Sequence, residues 1–315
     1  MSGTTPASQI NRLQARAQLL TMLRQFFAAR EVLEVETPIL GPTTGTDLYI
    51  DSFAVPINTG DKQTNYYLQT SPEFAMKRLL AEGSGPIYQI AKVFRADESS
   101  RLHNPEFTML EWYRPGFTME QLMTEVADLI ATVVSDSGVN LPRYSYRQLF
   151  VEHLNIDPHT ANAEQVATVA QQHLDIAEPL DKTGYLQQLM ALVIEPQLPE
   201  FCFVYNFPTE QCALAKIEQD EEGITVSRRF ELYGRGMELA NGYQELTDAT
   251  EQRNRFTADL NQRRATGRTQ YPLDEKFLAA LQSLPDCAGV ALGIDRLLML
   301  TTGATTIDEI LGISN

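Results

Sequence analysis

The hydrophobic positions of this chain change period several times, and the changes divide it into elements. From Ser8 to Arg30 apolar residues recur at steps of three and four (Ile10, Leu13, Ala17, Leu20, Leu23, Phe27), the stripe of an amphipathic helix. Val32 to Thr37 reads as a short strand ended by Pro38, and Asp51 to Ile57 and Asn65 to Gln69 are strand-like. Ser71-Pro72-Glu73 opens a helix: serine suits the N-cap, proline the first helical position, and an acid the positive end of the helix dipole. Ile87 to Phe94 is a run of β-branched and aromatic residues, a buried strand. A polar loop (Ala96 to Asn104) leads to a second strand, Phe107 to Tyr113. Met119 to Val134 is helical. Tyr146 to Val193 is helical too, broken at His153, Pro158 and Pro179, and predicts a helical insertion at about 145–195 between strands. Ser227 to Asp248 predicts two strands around a Gly-Arg-Gly turn, and Gly289 to Leu300 a strand turning into a helix. Alternating strands around a long helical segment predict an α+β fold, an antiparallel sheet flanked by helices.

Composition narrows the functional classes. A chain of 315 residues with 43% hydrophobic positions can build one large or two modest domains with a substantial core. Three widely spaced cysteines (Cys202, Cys212, Cys287) form neither a disulfide framework nor a metal-ligand spacing, and four scattered histidines suggest no zinc site. The N-terminal MSGTTPASQI lacks the basic and apolar regions of a secretory signal, and no apolar run reaches the roughly 20 residues of a membrane span. The expectation is a soluble, cytoplasmic protein. A net charge of −16, from 41 acidic against 25 basic residues, argues against a nucleic-acid grip, which needs lysines and arginines on phosphates.

Candidate chemistry concentrates in three blocks. In the first, Arg95 stands at the rim of a strand–loop–strand, where a guanidinium can fork onto a phosphate or carboxylate. The loop adds His103 and Asn104, and the return strand Glu106, Glu111 and Tyr113. In the second, Glu231 and Glu238 lie on opposite arms of a hairpin, where two carboxylates can share a divalent cation; two exposed strand acids would look the same. Asn241, Tyr243 and Glu245 alternate and so share one strand face. In the third, Arg296 falls in the first turn of a helix that follows a strand carrying Ala291.

The wording of these blocks is specific. FRAD followed by HNPEFTMLEWY resembles motif 2 of the class II aminoacyl-tRNA synthetases, in its lysyl form; EVETPIL resembles motif 1; GVALGIDRLLML resembles motif 3. The resemblance implies ATP binding by Arg95, the motif 2 loop residues and Arg296, with Arg95 and Arg296 as the catalytic pair. It implies Mg2+ on Glu231 and Glu238, and a dimer built through the Ser8–Pro38 region. It also implies an amino-acid pocket of Glu73, Glu111, Tyr113, Asn241, Tyr243 and Glu245. Three carboxylates in an aromatic-lined pocket suit ammonium groups, and therefore a diamino acid rather than aspartate. Two departures stand out. Lysyl-tRNA synthetases carry glycine where this chain has Ala291, and only about ten residues precede the first helix, leaving no room for an anticodon-binding domain. A lysyl-type core of this kind, spanning 1–315, is similar to the elongation factor P–(R)-β-lysine ligase family. That likeness implies ATP-dependent activation of (R)-β-lysine and its transfer to a lysine ε-amine of elongation factor P, without stable tRNA binding. The family's FRxE is FRAD here, so either Asp97 or the following Glu98 makes the adenine-side contact. Two rivals are a tRNA-charging enzyme specific for α-lysine and an inactive regulatory paralogue.

Overall fold

The computed structural model describes residues 6–59, 62–134 and 139–311. The stripe from Ser8 becomes α1 (Pro6–Ala28); it stops short of Arg30 because Glu31 turns into the left-handed region (φ 55°). Next in the chain come β1 (Leu33–Glu34), β2 (Leu40–Gly41), β3 (Ala54–Thr59), β4 (Lys62–Leu68) and α2 (Glu73–Ala81). The motif 2 hairpin is β5 (Ile87–Phe94) and β6 (Glu106–Pro115), trailed by α3 (Met119–Val134) and β7 (Arg143–Ser145). The helical segment resolves into α4 (Tyr146–Leu154), α5 (Ala163–His173) and α6 (Lys182–Leu189), and a π-turn over Met190–Ile194 closes it. The rest of the sheet comes from β8 (Phe201–Phe207), β9 (Ile217–Gln219), β10 (Thr225–Gly234), β11 (Met237–Gln244) and, after α7 (Ala249–Ala265) and α8 (Glu275–Ala280), β12 (Cys287–Gly293), which runs into α9 (Ile294–Thr302).

The main sheet has the order β1-β5-β6-β12-β11-β10-β8-β7, with β9 against β10, and β2, β4 and β3 make a small second sheet. Its centre, β5 to β8, is antiparallel as the hairpins require. Both edges are parallel, β1 on β5 and β7 on β8, a detail the strand pattern did not show. Parallel neighbours need long crossovers, and each pair has one: β2–β4 with α2 in the first case, the helices α4–α6 in the second.

Alternation along the central strands splits the sheet into two chemistries. Leu110, Trp112, Val290, Leu292, Phe230 and Leu232 point to one face and form the main core with Leu23 and Phe27 of α1, Leu122 and Val126 of α3, and Leu297 of α9. The opposite face carries the residues between them. Helices α2, α7 and α8 close one end of that face through Met76, Phe256 and Phe277, which pack on Ile87, Tyr113 and Cys287. The inserted helices bury their own cluster against Cys202, Val204 and Tyr233 on the far strands.

Candidate active site

Register assembles the site. Two rows cross the sheet on the face away from the main core. One runs Gln89–Glu111–Ala291–Asn241–Glu231 and the other Ile87–Tyr113–Gly289–Tyr243–Arg229, each through β5, β6, β12, β11 and β10. Because side chains alternate, rows two residues apart share a face. Above them is a cavity of about 660 Å³. Glu73, Arg95, Glu98, His103, Asn104, Phe107, Glu111, Tyr113, Glu238, Asn241, Tyr243, Glu245, Ala291 and Arg296 all line it.

Two of the singled-out residues do not line it. Asp97 turns to Asp51, whose carboxylate it approaches, while the adjacent Ala96 N–H donates to the Asp51 carbonyl at 2.7 Å. Glu98 takes the cavity side and pairs with Arg95 at 3.1 Å. Of the two acids offered for the nucleotide contact, Glu98 is the one that faces the cavity. Glu231 is also set back. Arg229 pairs with its Oε1 and the Tyr233 hydroxyl donates to its Oε2 at 2.5 Å, so both carboxylate oxygens are engaged.

At the phosphate-suited end, Arg95 from the end of β5 and Arg296 from the start of α9 both line the cavity. Arg296 donates to the Glu238 carbonyl at 2.6 Å and meets His103 Nε2, also at 2.6 Å, while His103 Nδ1 lies 2.8 Å from Ser100 Oγ. Burial and the Arg296 charge hold His103 below its ordinary value, consistent with a neutral ring accepting at Nε2. The α9 start is anchored from behind by Asp295, which pairs with Arg16 of α1 and accepts the Thr108 N–H at 2.7 Å. Glu238 opens onto the cavity with its side chain 41% exposed, and partial desolvation with the Glu231 charge pushes its carboxyl up to about 7, against Arg296 and Arg229. Glu195, delivered by the π-turn, is raised to about 7 by burial and then by Glu231 and Glu238. For a divalent ion, Glu238 offers one carboxylate open to the space where phosphates would lie; the charges of Arg296 and Arg229 oppose a cation there, so phosphate oxygens would have to supply most of the remaining ligands. Glu231 sits behind it, held by Arg229 and Tyr233. No cluster of three metal-ligating side chains occurs among the described residues.

At the other end the floor is acidic. Glu111 accepts from the Tyr113 hydroxyl at 2.5 Å and the Ser71 hydroxyl at 2.8 Å; burial, then Glu73, pushes it up to about 7. Ser71 also accepts the Glu73 N–H at 3.0 Å, so it serves the start of α2 although Pro72 occupies the cap position. Burial pushes Glu245 up to about 8 even though Lys77 opposes it. Gly289 makes this packing possible: a Cβ there would overlap the Tyr113 ring and Glu245 Oε1.

Sequence reading missed three groups. Lys77, one turn beyond Glu73, is fully buried against Glu73 and Glu245; its i,i+4 spacing to Glu73 was the available signal. Arg229 alternates with Glu231 on β10. Arg263 of α7 is entirely buried and donates to the carbonyls of Asp47 (2.6 Å) and Leu48 (3.2 Å) while pairing with Asp51, which fixes the segment that walls the cavity opposite the sheet. Only the three-dimensional structure shows that last link, since the partners are some two hundred positions apart.

Comparison with known proteins places this geometry. The family described as "tRNA synthetases class II (D, K and N)" matches residues 4–312. A protein of Edwardsiella ictaluri named elongation factor P–(R)-beta-lysine ligase is 46% identical over 324 residues, covering 100% of this chain and 98% of that protein. Proteins of the same name from Proteus mirabilis (46% identical, 97% of this chain and 95% of the relative) and Pasteurella multocida (45%, 98% and 97%) are similar throughout.

Proposed function

We propose a function from the family to which this chain belongs, the class II tRNA synthetases in the branch of the elongation factor P–(R)-β-lysine ligases. The chain is an ATP-dependent ligase that activates (R)-β-lysine and transfers it to a lysine ε-amino group of elongation factor P. The observation that carries the substrate class is the floor of the cavity. Glu73, Glu111 and Glu245 converge there beside Tyr113 and Tyr243, at the end of the same cavity that holds Arg95 and Arg296. Carboxylates suit a substrate with two ammonium groups, and the arginines suit a triphosphate.

The residues act mainly by position and charge. A carboxylate oxygen of the amino acid attacks the α-phosphorus of ATP, a P–O bond forms, and pyrophosphate leaves. Arg95 and Arg296 stabilise the charge that grows on the phosphoryl oxygens. Phe107, 5.1 Å from the Arg95 guanidinium, and Glu98, with His103 and Asn104, shape the nucleotide side. Mg2+, when bound, would neutralise phosphate charge, with Glu238 as its carboxylate and Glu231 behind it. In the second step the deprotonated ε-amine of the acceptor attacks the acyl carbon, the amide forms and AMP leaves. Asn241 and Ala291, neighbours in one row, border the space where the carboxylate and near ammonium must fit.

The reading extends to the whole molecule. Residues 1–315 act as one catalytic unit with α4–α6 as an insertion, working in the cytoplasm; no helix among the described residues is long and apolar enough to cross a membrane. The chain pairs with a second copy through the Ser8–Pro38 region, where Ile10, Leu13 and Leu33 are more than half exposed. Its acidic charge leaves tRNA without a stable grip. The test is pyrophosphate exchange dependent on (R)-β-lysine, then mass spectrometry of elongation factor P for one added β-lysyl group. Exchange with no amino acid, or lysylation of tRNA instead of the protein, would overturn the assignment. Sedimentation at micromolar concentration checks the pairing, with Leu33→Asp expected to yield monomer.

A further inference from the structure

Lys77 is a fully buried lysine for which the mechanism above has no use. It does not line the cavity; it stands behind two carboxylates that do. Its ammonium is 2.6 Å from Glu73 Oε1 and 2.5 Å from Glu245 Oε2, and the Phe277 ring centroid lies 5.9 Å away on a third side. Each carboxylate therefore gives one oxygen to Lys77 and keeps the other. For Glu245 the other oxygen, Oε1, lies against the strand floor at Gly289. The third acid, Glu111, is held by neutral donors alone, the hydroxyls of Ser71 and Tyr113.

We infer that Lys77 is a positioning residue that sets the charge of the amino-acid pocket to match a diammonium acyl group. This rests on the function proposed above. Three ionised carboxylates, Glu111 and Glu245 buried and Glu73 half-buried, against one buried ammonium leave two net negative charges. The acyl group of a diamino acid, once its carboxylate is esterified to the nucleotide, carries two positive ones. All three acids then stay ionised around the bound group. Without Lys77 there is one negative charge too many for a cluster this poorly solvated, and one acid must take up a proton. The acids at stake are Glu73 and Glu245, which lose a cation at hydrogen-bond distance. The groups that face them are consistent with this. From β6 come Glu111 and the hydroxyl of Tyr113; from β11, Tyr243; from β12, the buried Cys287; α8 contributes only Phe277. None of these groups is a cation, and Arg229, the nearest cation along the row, is already paired with Glu231, so none of them replaces the Lys77 charge. Lys77 itself is held above its ordinary value: burial opposes its charge, and Glu245 and Glu73 outweigh it.

A lysine that merely bridges a helix to a strand would make the same contacts, so the test must read protonation. Infrared difference spectra, variant minus unaltered enzyme, are recorded at pH 7 on complexes with the acyl-sulfamoyl adenosine analogue of (R)-β-lysine. Lys77→Met is expected to show a new protonated-carboxyl stretch, and Lys77→Arg none. The double variant Lys77→Met/Glu73→Gln, which removes one charge of each sign, is also expected to show none. In pyrophosphate exchange, Lys77→Met should raise KM for (R)-β-lysine by about tenfold or more and leave KM for ATP within about threefold, since the loss falls on amino-acid binding. No new carboxyl band with Lys77→Met, or an unchanged KM for (R)-β-lysine, overturns the inference. If Lys77→Met does not fold, the double variant decides: folding supports charge matching, and failure to fold makes Lys77 a structural strut and overturns it. If the unaltered enzyme neither binds the analogue nor activates (R)-β-lysine, it is the proposed function that fails.

Discussion

Replacing Gly289 by alanine adds a single methyl at the centre of β12, and the structure assigns it a large effect. Strand β12 is paired on both sides, to β6 and β11, so its backbone cannot retreat. The new Cβ would overlap ring carbons of Tyr113 and Oε1 of Glu245, both buried. Overpacking of this kind costs about 1–3 kcal/mol. If the ring swings aside instead, the 2.5 Å hydrogen bond from Tyr113 to Glu111 breaks, and a buried carboxylate that loses a partner costs about 1–3 kcal/mol. Either route costs about 1–3 kcal/mol, and the middle of that range, about 2 kcal/mol, is roughly thirty-fold in kcat/KM for the amino acid. The assay is pyrophosphate exchange with (R)-β-lysine, beside a thermal melt to confirm folding. A Gly289→Ala enzyme with near-normal kcat/KM and melting temperature would mean that the floor is loosely packed. The substrate argument built on register would then be wrong.

Two rungs along the same strand the opposite change should be tolerated. Ala291 lines the cavity between Glu111 and Asn241, and Ala291→Gly should raise activity with α-lysine more than with (R)-β-lysine, by about 1–3 kcal/mol in their ratio; an unchanged ratio removes Ala291 from specificity. Glu238→Ala should lower adenylate formation by about 2.7–4 kcal/mol of transition-state stabilisation while the protein stays folded; near-normal exchange would leave Glu238 a bystander. Stability should fall as pH rises from about 5 to 8. Glu111, Glu195 and Glu238 are pushed up to about 7 and Glu245 to about 8, above the unfolded value near 4.3, so the folded chain binds more protons across that window. Melting temperatures that climb between pH 5 and 8 would contradict this, whereas the diammonium adenylate analogue should flatten the decline.

Much of the site was readable in the sequence alone. Periodicity marked β5, β6, α3 and the β12–α9 turn to within a residue or two, since long apolar runs and clear breaks are local properties. Residue chemistry singled out Arg95, Glu111 and Glu245, because a strand rim and strand alternation are also local, while Arg296 came from the motif resemblance. The acid-rich pocket was anticipated through the resemblance of its motifs to the lysyl branch, not from residue types alone.

What local pattern could not decide was which residues become neighbours. The parallel edges β1 on β5 and β7 on β8 depend on crossovers, not on the strands' own composition. Glu98 rather than Asp97 faces the cavity, in a loop whose Ala96 N–H is held by the carbonyl of Asp51, itself tied down by the buried Arg263. Glu231 recedes from the cavity because Arg229 and Tyr233, two residues to either side on β10, engage both of its carboxylate oxygens. Lys77 lies on a helix, a position that usually faces solvent, and only the packing of α2 under the end of β11 makes it a buried counter-charge. The sequence by itself determined the chemistry available to this protein. Tertiary structure decided which charges meet and which are held apart, because electrostatic energy depends on distance and burial rather than on order along the chain.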